Sequence, residues 1–465
     1  MIRIGRLTMA TLLAAGMLPG LSAQNVVAQA EADTLTTDKI PAEWNLQACI
    51  DYALQQNITI RKSKVDAQSA QIDVKASRAA LFPSLSFSTG QDLTYYPYRA
   101  NTTIVVGNET KTTNNKTSYN GNYNLSANWT LYNGSKRLNT IKQDKLNNEI
   151  ANLEVSSSEN DVQQSVAQAY IQILYADESV KVNQNTLQLS IAQRDRGQQM
   201  LDAGSISKSD MAQLEAQVSN DRYQLVTAQT TLDNYKLQLK QLLQLNSQDE
   251  MVLYIPALSD ANVLSPLPSK REAYTAALAT RPEIQSSKLN LQAAELGISI
   301  ARAGYTPTIS LSARMSTNGM SGSQNAYFNQ LRDAWGNSIG LTVSMPIFDN
   351  RQTKTAIQKA KLQRTTSMLS MIDAESTLYQ TVEGLWLDAH SAQQRYAAAV
   401  EKLKSAQISY DLVSQQFNAG MKNTIDLLTE KNNLLQAQQE QLQAKYMAIL
   451  NAQLLKFYEG EKLSI

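Results

Sequence analysis

Four short stretches of the chain alternate apolar and polar residues with a period of two. Leu85 and Phe87 alternate with Ser84, Ser86 and Ser88, and Leu125, Ala127, Trp129 and Leu131 with Asn124, Ser126, Asn128 and Thr130. Ile309, Leu311 and Ala313 alternate with Ser310 and Ser312, and Leu341, Val343, Met345 and Ile347 with Thr342 and Ser344. Such alternation puts one residue type on each face of a strand. An apolar face backed by a polar one suits a barrel wall with lipid outside and water inside, and it suits a half-buried sheet equally.

Elsewhere the spacing is helical. Leu146, Ile150 and Leu153 step by four and three, as do Val162, Val166, Ala169 and Ile173. Met211, Val218, Leu225, Leu232 and Leu239 recur every seven residues, and so do Leu428, Leu435, Leu442 and Ile449. A seven-residue stripe keeps one seam facing a partner helix, which predicts coiled-coil packing. Proline, which breaks helix interiors, is absent between Pro97 and Pro256 and after Pro346. The first gap accommodates a helix from Lys136 to Asp202, 202 − 136 + 1 = 67 residues. Such a helix would reach roughly 100 Å.

The chain also repeats itself. Ala53 to Ser88 matches Ala277 to Ser312, with Gln68, Ala70, Arg78 and Pro83 answering to Gln292, Ala294, Arg302 and Pro307 at an offset of 224 (307 − 83). Further on, Ala203-Gly204 answers to Ala419-Gly420, and Asp210 to Asp426, at an offset of 216 (426 − 210). The drop falls between Ser88 and Leu131, where the first copy has a longer loop. Solenoid repeats have periods of about 20–50 residues, so this is a duplicated half. Each half runs short helix, helix, strand, loop, strand, very long helix, tight turn, long helix. The expected division is 31–245 for the first copy, 246–268 for a linker and 269–465 for the second. The Asn- and Thr-rich segment 99–121 reads as an exposed outer loop, with 317–337 as its counterpart.

The N-terminus reads as a secretory signal peptide over residues 1–30. Arg3 and Arg6 precede a short apolar run, and cleavage fits after Ala23 or after Ala30. Leu46-Gln47-Ala48-Cys49 resembles a lipoprotein cleavage box, but polar residues separate it from the apolar run, so Cys49 reads as a small packed residue. No later segment offers about 20 consecutive apolar residues, so no transmembrane helix is expected. An exported chain without one is soluble or a β-barrel.

Composition narrows the chemistry. Lys plus Arg is 42 against Asp plus Glu 41, a net charge of +1, which gives no reason to expect nucleic acid. With one His and one Cys, neither a metal centre nor a dithiol site is expected. His390 sits beside Asp388 in a helical stretch and reads as structural; no nucleophile elbow or phosphate loop is present. An enzyme and a cofactor are therefore not expected. Trp129, Tyr132, Trp335 and Phe348 stand near strand ends, where membrane-interface aromatics lie, and Tyr95, Tyr96 and Tyr98 suit the same place. Four strands cannot close a barrel, for which about eight is the usual minimum. A chain that spans a membrane this way must oligomerise.

In this order and spacing, Trp44-Asn45-Leu46 leading into Ala53-Leu54, Arg281-Pro282-Glu283-Ile284, the helix–strand junctions at Pro83 and Pro307, and the turns at Gly204 and Gly420 resemble the TolC-like outer membrane efflux proteins. The resemblance covers nearly everything after Trp44. It implies an α+β membrane protein of the cell outer membrane, a homotrimer in which three sets of four strands form a 12-stranded barrel. Helices continue the barrel as a coiled-coil periplasmic tunnel. It implies a passive duct for efflux or type I secretion, in contact with outer membrane lipid, a periplasmic adaptor and an inner-membrane transporter of the RND, ABC or MFS type. The adaptor would meet the tips, at Gly204, Ser205, Ile206, Gly420, Met421 and Lys422. A gate would use Asp426, with Phe417 and Lys422 taking part and Asp210 as its counterpart. Where a second acidic residue can stand one turn on, this chain has Thr429, with Glu430 next to it. The alternative is a soluble periplasmic adaptor, also built on long helical hairpins. The cargo is not legible.

Overall fold

The computed structural model describes residues 43–464, apart from 99–101, 107–108, 114–115, 246–250, 257–262, 265 and 322–324. The expected signal peptide and both expected cleavage sites lie outside the described residues. Helices α1 (Leu46–Gln56) and α2 (Ile58–Ala79) lead to strand β1 (Ser84–Tyr95), hairpin β2 (Thr102–Val106) and β3 (Glu109–Thr113), and β4 (Thr117–Asn133). The long helix α3 (Lys136–Asp202) turns back into α4 (Lys208–Leu242). The second half follows the same order: α5 (Lys270–Thr280), α6 (Pro282–Arg302), β5 (Thr308–Met320), α7 (Tyr327–Asp333), β6 (Gly336–Ser344), α8 (Gln352–Asn418) and α9 (Thr424–Tyr458).

The correspondence between halves is close in the helices. The long helices α3 and α8 each have 67 residues and their returns α4 and α9 each have 35. All four helix ends keep the offset of 216 (352 − 136, 418 − 202, 424 − 208, 458 − 242). The joints above them match too. Gly134 and Ser135 in one half, and Asn350 and Arg351 in the other, all have positive φ. The side chain just before each pair turns onto the new helix: Asn133 Oδ1 accepts from the Arg137 N–H at 3.3 Å and Asp349 Oδ2 from the Thr353 N–H at 2.8 Å. Two consecutive left-handed residues reverse the chain sharply, and a side-chain acceptor then satisfies an orphan helix N–H.

The strands differ more from expectation. They form one antiparallel sheet in the order β1-β4-β5-β6. Segment 99–121 is not a plain loop: it holds the β2–β3 hairpin, and β4 begins at Thr117. Thr and Val are β-formers whose preference outweighed the Asn-rich surroundings. Segment 317–337 likewise contains the end of β5 and the helix α7. Met345 and Ile347, expected in the fourth strand, fall beyond its end at Ser344, where Pro346 can give no ladder N–H. The register confirms the two faces: Phe87 lies opposite Leu125, Trp129 opposite Leu311, and Leu311 opposite Leu341, while Ser86, Ser126, Arg314 and Ser338 share the other side.

Two compact units can be distinguished. In the smaller, Trp44 forms a parallel bridge with Leu253, its N–H donating to Val252 O at 2.9 Å and its carbonyl accepting from the Tyr254 N–H at 3.0 Å. The larger holds all the elements named above. In it α1 starts on an Asn45 cap and α5 on a Ser269–Glu272 capping box. Ala273, Ala277, Ile284, Leu378, Val382 and Leu455 form a core where α5 and α6 meet α8 and α9. Arg281, at the head of α6, is buried with its guanidinium 4.2 Å from the Tyr458 ring centroid and its Nε 2.9 Å from Glu283. The Arg-Pro-Glu-Ile motif therefore clamps the end of α9. Cys49 is fully buried and its thiol is pushed up to about 12 by desolvation, as suits an inert packed residue.

Candidate functional site

The hairpin tips have one backbone design. In the first, the Gly204 N–H donates to Leu201 O at 2.9 Å and the Ser205 N–H to Met200 O at 2.7 Å. In the second, the Gly420 N–H donates to Phe417 O and the Met421 N–H to Gln416 O, both at 2.9 Å. These pairs are Schellman closures, and both glycines take the left-handed conformation that closure requires, φ +73° and +75°. Gly204, Ser205, Gly420 and Lys422 are exposed, and Met421 is 71% exposed. Ile206 instead packs against the core beneath.

The return helices start differently. Ser207 and Asp210 form a capping box: Ser207 Oγ accepts from the Asp210 N–H at 3.1 Å, and Asp210 Oδ2 accepts from the Ser207 N–H at 3.0 Å. The Ser207 hydroxyl and N–H together hold the Asp210 carboxyl below the usual range. Asn423 caps α9 by accepting from the Asp426 N–H at 2.8 Å, without the reciprocal bond from its own N–H to the Asp426 carboxylate. The Asp426 carboxylate is left half-exposed, with Lys422 Nζ 3.3 Å away. Both aspartates, Lys422, Ile206 and Met421 border one open cleft between the tips. Phe417 also borders it but is only 2% exposed, packed with Met200, Tyr410, Leu427 and Leu434. Glu430, next to the position of a second acidic residue, turns to α8 and accepts from Ser409 Oγ at 2.9 Å.

One cluster was not anticipated. Lys431 of α9 is 1% exposed and Asp221 of α4 is 2% exposed, and the two are paired directly. Ser190 of α3 hydrogen-bonds to both, and Gln217 Nε2 donates to Asp221 Oδ1 at 2.9 Å. Burial pushes the Lys431 ammonium below its usual range while Asp221 opposes the shift. The sequence carried a signal for it. Asp221 stands three residues after the buried Val218, and Lys431 four after the buried Leu427 and three before Leu434, so each charge occupies a seam position of its helix. The expected seam of α9 through Leu428 and Leu435 is one residue off. Leu427 and Leu434 are buried there, and only Leu442 and Ile449 of the expected stripe join them. A straight helix drifts by about 20° per heptad, which moves the buried line from one residue to its neighbour.

The apolar face of the sheet is open. Leu85, Phe87, Leu341 and Val343 are largely exposed, and the aromatics Trp129, Tyr132, Trp335 and Phe348 stay exposed around it. Trp129 Nε1 donates to Leu81 O at 2.7 Å, fixing the ring at the helix end of the sheet. A contiguous apolar surface of this kind needs a partner phase. No described helix is long and apolar enough to cross a membrane. His390 stacks on Trp386 with ring centroids 5.0 Å apart and lies 3.1 Å from Gln394 Nε2, a packing role.

The sequence model of outer membrane efflux proteins matches this chain twice, over residues 49–244 and 273–461. The chain belongs to the outer membrane efflux protein family. It is 24% identical to the outer membrane protein TolC of Salmonella enteritidis over 426 residues, which cover 90% of this chain and 82% of TolC. Among solved structures, CusC superposes with a TM-score of 0.76 at 19% identity, covering 92% of this chain and 96% of CusC. The outer membrane protein VceC of Vibrio cholerae does so with a TM-score of 0.72 at 16% identity, covering 90% and 97%. The chain is therefore an outer membrane channel of the efflux and secretion type, with its long helices on the periplasmic side. Its family consists of channels rather than enzymes. The soluble adaptor alternative is set aside, since the match runs through both halves.

Proposed function

We propose that three copies of this chain form a passive export duct, docked by its tips to a periplasmic adaptor and an inner-membrane transporter. The observation that carries this reading is the sheet: among the described residues, β1 and β6 are unpaired edges of a four-stranded, two-faced wall. Unpaired edges demand further strands, and three such walls edge to edge make 12 strands, within the range of closed membrane barrels. The halves divide at 31–245, 246–268 and 269–465, so the trimer presents six hairpins. The exposed tip residues Gly204, Ser205, Gly420, Met421 and Lys422 meet the adaptor, with Ile206 holding the first tip in shape. Asp426, with Lys422 beside it, narrows the tunnel and favours cations. Phe417 supports that constriction from the core behind it, and Asp210 contributes through the cap of the opposite tip. Trp129, Tyr132, Trp335 and Phe348 mark the membrane boundaries.

The deciding experiment is mass determination in detergent together with disulfide trapping between edges, using Ser86→Cys on β1 and Ser338→Cys on β6. A trimer, cross-linked through those two edges and inserting as a channel in planar bilayers, is the expected result. A stable monomer, without cross-links and without channel activity, overturns the reading.

A further inference from the structure

The helix α7 (Tyr327–Asp333) lies in the outer connection between β5 and β6. It is pinned to the sheet at several points. The Tyr327 ring packs on Tyr119, centroids 5.7 Å apart. A Cβ at Gly121 would come within 2.1 Å of the Tyr327 hydroxyl, and one at Gly319 within 2.6 Å of its ring, so two glycines make the seat. Gln330 brackets Met320, accepting from its N–H at 2.9 Å and donating to its carbonyl at 3.0 Å, and the Thr317 hydroxyl donates to Leu331 O.

The register fixes the side on which this helix sits. Gly121 and Gly319 are opposite one another, and both lie an even number of residues from Leu125, Trp129, Leu311 and Met315. The helix therefore covers the apolar, membrane-facing side of the sheet, at the end away from the long helices. Below it on that face come Leu125 and Met315, then Trp129 and Leu311; at its own level the strands offer Tyr119, Gly121, Thr317 and Gly319. Apolar wall gives way to aromatic and small residues under α7.

Its free flanks are unlike. Phe328 and Arg332, one turn apart, share a flank, and Trp335 follows just beyond the helix end. Phe328 is 82% exposed, Trp335 56%, and the Arg332 side chain 79%. The other flank carries Asn329 and Asp333, and Asp333 Oδ1 accepts from Arg332 Nε at 3.3 Å, an exposed pair that uses one of the five N–H donors of the guanidinium. Exposing a Phe and a Trp to water forgoes a few kcal/mol of burial, which an interface recovers. An aromatic–cation flank beside a polar–acidic one is the composition of a segment lying at a membrane surface.

We propose that α7 is a foot standing on the outer leaflet, with Phe328 and Trp335 seated among the headgroups and Arg332 meeting lipid phosphates. The occupant is the phosphate-bearing headgroup layer, continuous with the lipid that covers the apolar face just below. A second copy of the chain is a poorer fit, because further strands add at β1 and β6 while α7 stands over the central strands β4 and β5. The inference rests on the outer-membrane placement and not on the trimer or the gate.

The test uses full-length protein in phosphatidylethanolamine–phosphatidylglycerol vesicles, nitroxide-labelled at Phe328→Cys, Asp333→Cys or Ile339→Cys; the native Cys49 is buried and stays unlabelled. Collisions with dissolved oxygen and with a water-soluble nickel chelate are measured. Position 328 is expected to favour oxygen, position 333 the chelate, and position 339, within the apolar face, oxygen most. Adding Arg332→Glu is expected to raise chelate access at 328 at least two-fold. If 328 is as open to the chelate as 333 while 339 remains in lipid, the foot is disproved and the membrane placement survives. If 339 too is open to the chelate, the membrane placement itself fails. Shielding of 328 from both reagents means protein covers α7 and also overturns the proposal.

Discussion

The two hairpin tips share a backbone and differ in what they leave over. Both end on a left-handed glycine, and both return helices begin on a capping side chain. In the first, Asp210 spends its carboxylate on the Ser207 box; in the second, the equivalent Asp426 leaves its carboxylate facing the cleft with Lys422. The choice of Ser or Asn three residues earlier decides which. A serine hydroxyl and its N–H both turn to the aspartate, whereas Asn423 takes the Asp426 N–H and returns no bond to the carboxylate. Duplication has preserved the turn and released one acidic group from structural work.

The deepest asymmetry lies above the tips. Lys431, Asp221 and Ser190 join α9 to the first hairpin, and their counterparts at an offset of 216 are Glu215, Ala437 and Ala406, which form no such group. Breaking it is the largest effect expected. Lys431→Met strands the Asp221 charge and should destabilise the protein by about 3–5 kcal/mol, while Lys431→Met with Asp221→Leu should recover most of that loss. Thermal or denaturant unfolding of the two single variants and the double one measures the coupling; equal losses in single and double variants would remove the pair from the account. Gly204→Ala and Gly420→Ala come next. Nothing lies within 4 Å of either new Cβ, so the cost is backbone strain alone, about 1–2 kcal/mol and equal at both tips. Unequal losses would mean the tips are not the same turn.

The aspartates separate by smaller effects. Asp210 is held below its ordinary carboxyl range in the folded state, so its contribution is present above the unfolded pKa of about 3.9 and is lost as pH falls through the folded value. Asp210→Asn should therefore lose stability at pH 7 and converge with the parent protein in acid unfolding once the pH has fallen through the folded value. Asp426→Ala should raise single-channel conductance or relieve block by multivalent cations more than Asp210→Ala does. The reverse order would move the constriction to the first tip.

The sequence disclosed these features unevenly, for physical reasons. The first long helix was legible to the residue at Lys136 and Asp202, because a proline-free stretch with apolar steps of three and four is a local signal that tertiary contacts only reinforce. Both tips were legible through Gly204 and Gly420, since few residues other than glycine accept that conformation. The β2–β3 hairpin was missed because neither strand alternates: β2 runs Ile104, Val105 and Val106 together, and β3 is polar throughout. Helix α7 was missed because it is held by Gly121 and Gly319, which lie far from it in sequence, rather than by its own pattern. Lys431 and Asp221 were overlooked because a charge at a seam position is visible only once the drift of the buried line along α9 is known.

The equality of 67 with 67 and of 35 with 35 residues has a mechanical side. Legs of one length stand level. In the proposed trimer, six hairpins hung from six matching joints would end in a common plane, and a ring-shaped partner could seat on all six at once. One heptad added to α3 and α4 alone would lengthen three legs by about 10 Å and leave the other three short of the floor. Duplicating a single hairpin is the simplest way to cut every leg to the same measure.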